Sequence, residues 1–180
     1  MSGDHPSGWE IHSETAVYDS PWVRLAQADV TGPHGYHVPD HHVIRMRPAA
    51  GALILVDDRV LLMWRHRFIT RRTGWEIPAG RIEDGEAPVV AAARECFEET
   101  GWRPGPMSPW LSWSPLNGIA DSRFHCFMAT SADHVGEPLD AFESEHLAWK
   151  TRDEVRDALV SGAVHDGFAV PALWKWLACL

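Results

Sequence analysis

Three glutamates crowded into the last turns of one helix limit what this chain can be. Pro88 stands near a first helical position, where its missing N–H costs nothing, and Gly101 stands where a left-handed residue ends a helix. Residues 87–100 are therefore predicted as the clearest helix in the sequence. It ends Arg94-Glu95-Cys96-Phe97-Glu98-Glu99-Thr100-Gly101. At 100° per residue, Glu99 lies within about 40° of Glu95 on the helix surface and Glu98 within about 60°, so the three carboxylates share a face. Like charges at i,i+4 repel by roughly 0.2–0.5 kcal/mol per pair, and the final turn of a helix adds partial negative charge. A solvated acidic face with Arg94 as intrahelical partner is one resolution. A divalent cation held by hard oxygen ligands, Mg²⁺ or Mn²⁺, is the other.

The rest of the chain reads as strands with a few helices. A strand over 22–30, a turn at Gly32-Pro33-His34-Gly35 and a strand over 36–46 form one hairpin; 51–56, a turn at Asp57-Asp58 and 59–64 form another. Trp75-Glu76-Ile77-Pro78-Ala79-Gly80 reads as a short strand that Pro78 and Gly80 force into a loop. Pro104, Pro106, Pro109 and Pro115 mark a loop-rich passage, followed by β-prone runs at 123–129 and 147–149. Thr151 and Glu154 have the spacing of a capping box opening a helix to about Val160, and 170–180 reads as a final apolar helix. This order predicts a mixed α/β domain rather than a regular βαβ array.

Composition removes several alternatives. A length of 180 residues suits one domain, with room for a small appendage. The formal charge of −9 opposes binding through nucleic-acid phosphates, despite a small basic patch at Arg71-Arg72. Cys96, Cys126 and Cys179 have no paired spacing, so reduced thiols are expected. With no apolar run long enough for a membrane span and no apolar stretch near Met1, a cytoplasmic protein without a membrane partner is predicted. His34, His37, His41 and His42 lack a zinc-binding spacing and are expected to be solvent-facing histidines of a strand.

The spacing around the helix decides between the two readings of its acidic face. Gly80, Glu86, Arg94-Glu95, Glu98-Glu99 and Gly101, with Cys96 and Trp102 at the bulky apolar positions, fit GX5EX7REUXEEXGU, where U is a bulky apolar residue. The seven fixed positions would coincide by chance on the order of once in a million such chains. The sequence thus resembles the Nudix hydrolases at each of them. The resemblance implies an α/β fold, an αβα sandwich with a mixed sheet, and hydrolysis of a nucleoside diphosphate linked to another group, X. It implies that Glu95 and Glu99 ligate Mg²⁺ or Mn²⁺, with Glu98 ligating directly or through water and serving catalysis. Arg94 would orient the carboxylates, Glu86 would support them from the helix entrance, and the Ala79 carbonyl would complete the metal shell. Gly80 and Gly101 would permit the turns that aim the helix. A pyrophosphate needs such an ion here, because an acidic protein and an attacking hydroxide both face a polyanion.

Outside the signature the chain is similar to the ADP-ribose and nucleotide-sugar pyrophosphatase branch. Val17-Tyr18-Asp19-Ser20-Pro21-Trp22, Pro33-His34-Gly35, Leu61-Leu62-Met63-Trp64-Arg65-His66-Arg67 and Trp75-Glu76-Ile77-Pro78-Ala79-Gly80 carry that similarity. It implies a homodimer built by an N-terminal antiparallel β arm, residues 1–47, ahead of a hydrolase domain, residues 48–180. It marks Arg65, Arg67 and Glu76 as substrate-binding candidates, Arg65 and Arg67 through phosphate or ribose. Trp22 is expected to be a buried packing residue, with stacking on a base as the substrate-binding alternative. Glu143 is the candidate base, and Glu145 a further metal ligand or alternative base. Ser122, in Ser114-Pro115-Leu116-Asn117-Gly118-Ile119-Ala120-Asp121-Ser122-Arg123, stands where ADP-ribose enzymes tend to be acidic. A different diphosphate of a specialised pathway therefore remains a competing substrate. A non-catalytic nucleotide-sensing module is the rival class; such modules usually lose signature carboxylates, and none is missing.

Overall fold

A computed structural model describes residues 8–139 and 146–179. In chain order the elements are β1 (Glu10–Asp19), β2 (Val23–Thr31), β3 (His37–Met46), β4 (Ala49–Val56), β5 (Arg59–Arg67), β6 (Arg72–Glu76) and β7 (Ala79–Arg81). Then follow α1 (Pro88–Thr100), β8 (Trp102–Pro104), β9 (Met107–Trp113), β10 (Phe124–Ala129), β11 (Ala132–His134), β12 (His146–Thr151), α2 (Arg152–Val160) and α3 (Ala169–Ala178). Two compact units are distinguishable: the chain up to Arg47 with Leu116–Ser122, and Pro48–Pro115 with the chain from Arg123 onward.

The first unit is an antiparallel sheet in the order β1-β2-β3. Ser20 shapes its first turn, its hydroxyl accepting from the N–H groups of Trp22 and Val23 at 3.2 Å each. The second turn, Pro33–Gly35, holds His34 and Gly35 in the left-handed region. Arg45 on β3 donates to Glu14 on β1 and to Asp121, and its guanidinium holds the Glu14 carboxyl below the usual carboxylate range. The Asp121 carboxylate also accepts from the N–H of Met46, which fastens Leu116–Ser122 to β3. His34, His37, His41 and His42 are exposed as expected, and the ring of His37 hydrogen-bonds Asp29 at 2.6 Å. Trp22 corrects one expectation: at 67% exposure it is not a buried packing residue in this unit.

In the second unit the sheet runs β12-β5-β4-β10-β9, with β6 beside β5 and β7 beside β4; β10 is parallel to β4 and the other pairs are antiparallel. Alternation along β4 explains the layers. Ala49 and Leu53 face a core with Val60, Leu62, Phe124, Val155, Leu173 and Trp176, the side of α2 and α3. Ala52 and Ile54 meet Cys96 of α1 on the opposite side, and Ala50 meets Ala91 and Ala92. Both faces of β4 are covered, so its whole sequence, AAGALILV, is apolar. The result is the expected αβα sandwich.

Local chemistry fixes the ends of the elements that carry the site. The β4–β5 hairpin turns through Asp57 (φ 49°) and Asp58 (φ 56°), both left-handed as a type I′ turn requires. In α1, Pro88 occupies the first turn and Gly101, at φ 71°, donates its N–H to the Phe97 carbonyl. A Cβ at Gly101 would strike the Gly136 carbonyl oxygen, so this glycine is needed for space as well as for φ. Thr151 and Glu154 form the capping box reciprocally at the start of α2.

Two expectations fail. The proline-marked passage after Gly101 contains β8 and β9 rather than only loop. Pro109 is tolerated because β9 is the edge strand, and the register with β10 shifts beside it, between Cys126 and Phe127. Likewise only Ile77 and Pro78 separate β6 from β7, so Gly80 belongs to a strand paired with Ala50 rather than to a turn.

Candidate active site

The signature side chains meet where β7 passes the C-terminal half of α1. Arg94 is the hub: its Nη1 donates to Glu95 and to Glu98 at 2.8 Å each, its Nε to Glu86 at 3.0 Å, and its Nη2 to Glu86 and to the Arg81 carbonyl. Glu86 also accepts from the N–H of Glu83, and with Arg94 this keeps its carboxyl below the usual range.

Glu99 lies deeper, its side chain 4% exposed. One carboxylate oxygen accepts from Arg65 Nη1 at 2.7 Å and the other from the Ala79 N–H at 2.8 Å. Burial pushes its carboxyl up to about 7 even though Arg65 and the Ala79 N–H oppose the rise. Burial raises Glu95 as well, against the pull of Arg94. A carboxylate that resists ionisation beside other carboxylates is an incompletely compensated site.

Gly80 has a role different from the expected one. Its backbone is not left-handed, but a Cβ there would collide with the Glu95 carboxylate. The missing side chain lets that carboxylate lie against β7, next to the strand whose Ala79 N–H holds Glu99. Ala79, expected to act through its carbonyl, donates its N–H to Glu99.

The basic and acidic residues ahead of the signature pair with each other. Arg67 donates from Nε and Nη2 to both oxygens of Glu76, which is itself buried. The β5–β6 register puts Met63 opposite Glu76 and Arg67 opposite Arg72, a diagonal that the sequence does not reveal. Arg65, 11% exposed, is engaged with Glu99. Sequence reasoning missed both partners; the only hint was the density of Arg and Glu in two adjacent strands. Trp22 belongs to the other unit, and Glu143 and Glu145 lie outside the described residues.

Five carboxylates (Glu76, Glu86, Glu95, Glu98, Glu99) face three guanidiniums (Arg65, Arg67, Arg94), leaving two formal negative charges. Among the described residues no three His, Cys, Asp or Glu side chains are arranged as they stand to hold a metal ion. The donor set nevertheless suits a hard divalent cation: all oxygen, excess negative, buried at Glu99, with room at Gly80. Exchanging Arg94 for a cation at Glu95, and Arg65 at Glu99, would free those oxygens while Arg94 kept Glu86 and the Arg81 carbonyl.

A mixed sheet with α1 on one face and α2 and α3 on the other, and a carboxylate cluster over Gly80, define the class. The NUDIX domain model matches residues 45–167, and the chain belongs to the Nudix hydrolase family. It is 39% identical, over 92% of its length and 81% of the relative's, to the CMP-5'-(N-acetyl-N-hydroxy-3-aminopropyl)phosphonate hydrolase of Streptomyces rubellomurinus. It is 28% identical, over 73% of its length and 71% of the relative's, to the ADP-ribose pyrophosphatase of Bacillus subtilis. A crystal structure of an ADP compounds hydrolase shares the fold with a TM-score of 0.79 at 21% identity, covering 94% of each chain. Nudix hydrolases generally use divalent metal ions, and no helix among the described residues is long and apolar enough to cross a membrane.

Proposed function

We propose that this protein is a Mg²⁺- or Mn²⁺-dependent pyrophosphohydrolase that splits the anhydride joining a nucleoside 5′-phosphate to a second group, as in ADP-ribose or a nucleotide sugar. The observation that carries this reading is the buried, undercompensated Glu99 carboxylate beside Glu95 and Glu98, with Gly80 leaving space over β7. Glu95, Glu98 and Glu99 would hold the ion, with the Ala79 carbonyl. When bound, the ion would neutralise the diphosphate, lower the pKa of the attacking water and stabilise the departing oxygen. Arg94 keeps Glu95 and Glu98 together, and Glu86 holds Arg94 in place. Arg65, once released from Glu99, offers its guanidinium to a substrate phosphate; Arg67 stays with Glu76 and stiffens the β5–β6 wall. Glu143 is the proposed base that takes the water's proton, with Glu145 as alternative. Water adds its oxygen to one phosphorus, the bridging P–O bond breaks, and two acids leave.

A second reading has its own support. The Streptomyces relative, matched over more of both chains and at higher identity than the Bacillus pyrophosphatase, is named for a CMP-linked phosphonate. In this reading the nucleotide's partner is a phosphonate rather than a sugar phosphate. Ser122, buried where an acid is expected in ADP-ribose enzymes, and Asp121, engaged with Arg45, favour it. A homodimer is proposed from β1, an edge strand exposing Ile11, Val17 and Tyr18; a monomer by light scattering at micromolar concentration would remove it.

The test is a substrate panel with Mg²⁺ or Mn²⁺ containing ADP-ribose, nucleotide sugars, a CMP-linked phosphonate, dinucleotide cofactors and nucleoside triphosphates. Turnover of a nucleotide-linked anhydride that falls at least about a hundredfold in Glu99→Gln supports the assignment. Full turnover in that variant sinks it.

A further inference from the structure

At the far end of β5 from Glu99 lies a cavity of about 580 Å³ bounded by Val56, Asp57, Arg59, Trp102 and Trp149. Arg59 is six residues before Arg65 on the same strand, which puts roughly 20 Å of strand between the cavity and the carboxylate cluster. The volume lies in the range of small-molecule sites. Trp102, just past the α1 cap, and Trp149, on β12, meet edge to face with ring centroids 5.1 Å apart. Among the described residues neither indole N–H has a hydrogen-bond partner, and neither is sealed from solvent. Asp57 and Arg59 flank Asp58 at the hairpin turn, and among the described residues neither side chain has an ion-pair or hydrogen-bond partner. The second unit otherwise pairs its inner charges closely, as at Arg94, Arg65 and Arg67.

These features narrow the ligand. Two indoles offer stacking surface to a planar ring. A lone carboxylate would favour a cation and a lone guanidinium an anion, but both together work against either net charge. A neutral ring whose edge carries N–H donors next to carbonyl or ring-nitrogen acceptors satisfies both groups and the indole N–H donors as well. We propose that this cavity is a second, non-catalytic site for a nucleobase, stacked on Trp102 and Trp149 with its edge read by Asp57 and Arg59. Phosphate and divalent metal play no part in binding there, which separates this site from the carboxylate cluster.

The experiment titrates metal-free, full-length protein with adenosine, guanosine, cytidine and uridine, following the tryptophan indole ¹H–¹⁵N cross-peaks, with Trp102→Phe and Trp149→Phe used to assign two of the ten. Selective shifts of the Trp102 and Trp149 peaks by at least one nucleoside, kept in Glu99→Gln and weakened about tenfold or more in Asp57→Asn/Arg59→Gln, are the expected result. Asp57, in the turn, and Arg59, at the start of β5, are exposed, so the double variant is expected to fold and to keep its hydrolytic rate. Three outcomes overturn the proposal: no nucleoside shifting either peak at millimolar concentration, binding unchanged in the double variant, or binding lost in Glu99→Gln but kept in the double variant. The last would place the base at the metal cluster instead.

Discussion

At the Arg65–Arg67 end of β5 each guanidinium is matched to a buried carboxylate, Arg65 to Glu99 and Arg67 to Glu76. At the Arg59 end a guanidinium and a carboxylate stand beside two indoles, without partners among the described residues. The difference follows from solvent. Glu99 and Glu76 are almost wholly removed from water and would be intolerable as lone charges, so their partners are part of the structure. Asp57 and Arg59 keep their hydration, so the fold makes no demand on them. Alterations at the first end should therefore cost stability or catalysis, and alterations at the second should cost only what binds there.

The largest expected effect is one of pH. Glu99 has its folded pKa raised to about 7 from an ordinary carboxylate value, so between about pH 4.5 and 7 the folded state holds a proton that the unfolded chain has released. Stability of the metal-free protein should fall as pH rises through that window, by up to about 3 kcal/mol, and level off above it. Glu86 and Glu14, whose values are depressed, act oppositely and only at lower pH, where their contribution is lost on acidification. Urea titrations at pH 5 and pH 7.5 measure the fall, and saturating Mg²⁺ should reduce it. A curve flat across the window breaks the contrast between the two ends of β5.

Next comes Arg67→Ala, which strands the Glu76 carboxylate. A loss of about 2 kcal/mol is expected, less than for a fully buried pair because the guanidinium is partly solvated. Adding Glu76→Gln should recover part of it; if the double variant is no better than the single, the pair is not what holds this wall. Gly80→Ala should lower kcat/KM about tenfold, since the Glu95 carboxylate must move off β7, while Tm shifts only a few degrees because a side-chain end rather than backbone gives way. An unaltered rate would show that Glu95 works from another position. Smallest of all, Arg59→Gln should leave stability within about 0.5 kcal/mol and hydrolysis within twofold.

The sequence made some of this legible and hid the rest for physical reasons. Signals confined to a few neighbouring residues were readable: Pro88 and Gly101 bounding α1, the Thr151–Glu154 box, the Asp57-Asp58 turn and the spacing of the signature carboxylates. What depended on strands meeting was not. Pro109 looks like a breaker until β9 is known to be an edge, and Gly80 looks like a turn residue until Glu95 is seen lying over it. Arg67 finds Glu76 diagonally across β5 and β6, and Trp102 finds Trp149 through the packing of a helix cap on a late strand.

The parallel pairing of β4 with β10 has a consequence for how the chain reaches this state. As the polypeptide leaves the ribosome, Ala49–Val56 emerges well before Phe124–Ala129, its neighbour in the finished sheet. An uncharged run without proline must therefore wait with one edge bare, the condition under which chains stick to one another rather than to themselves. Refolding yield that drops as protein concentration rises is the signature to look for, and a chaperone that masks extended apolar segments is the natural remedy.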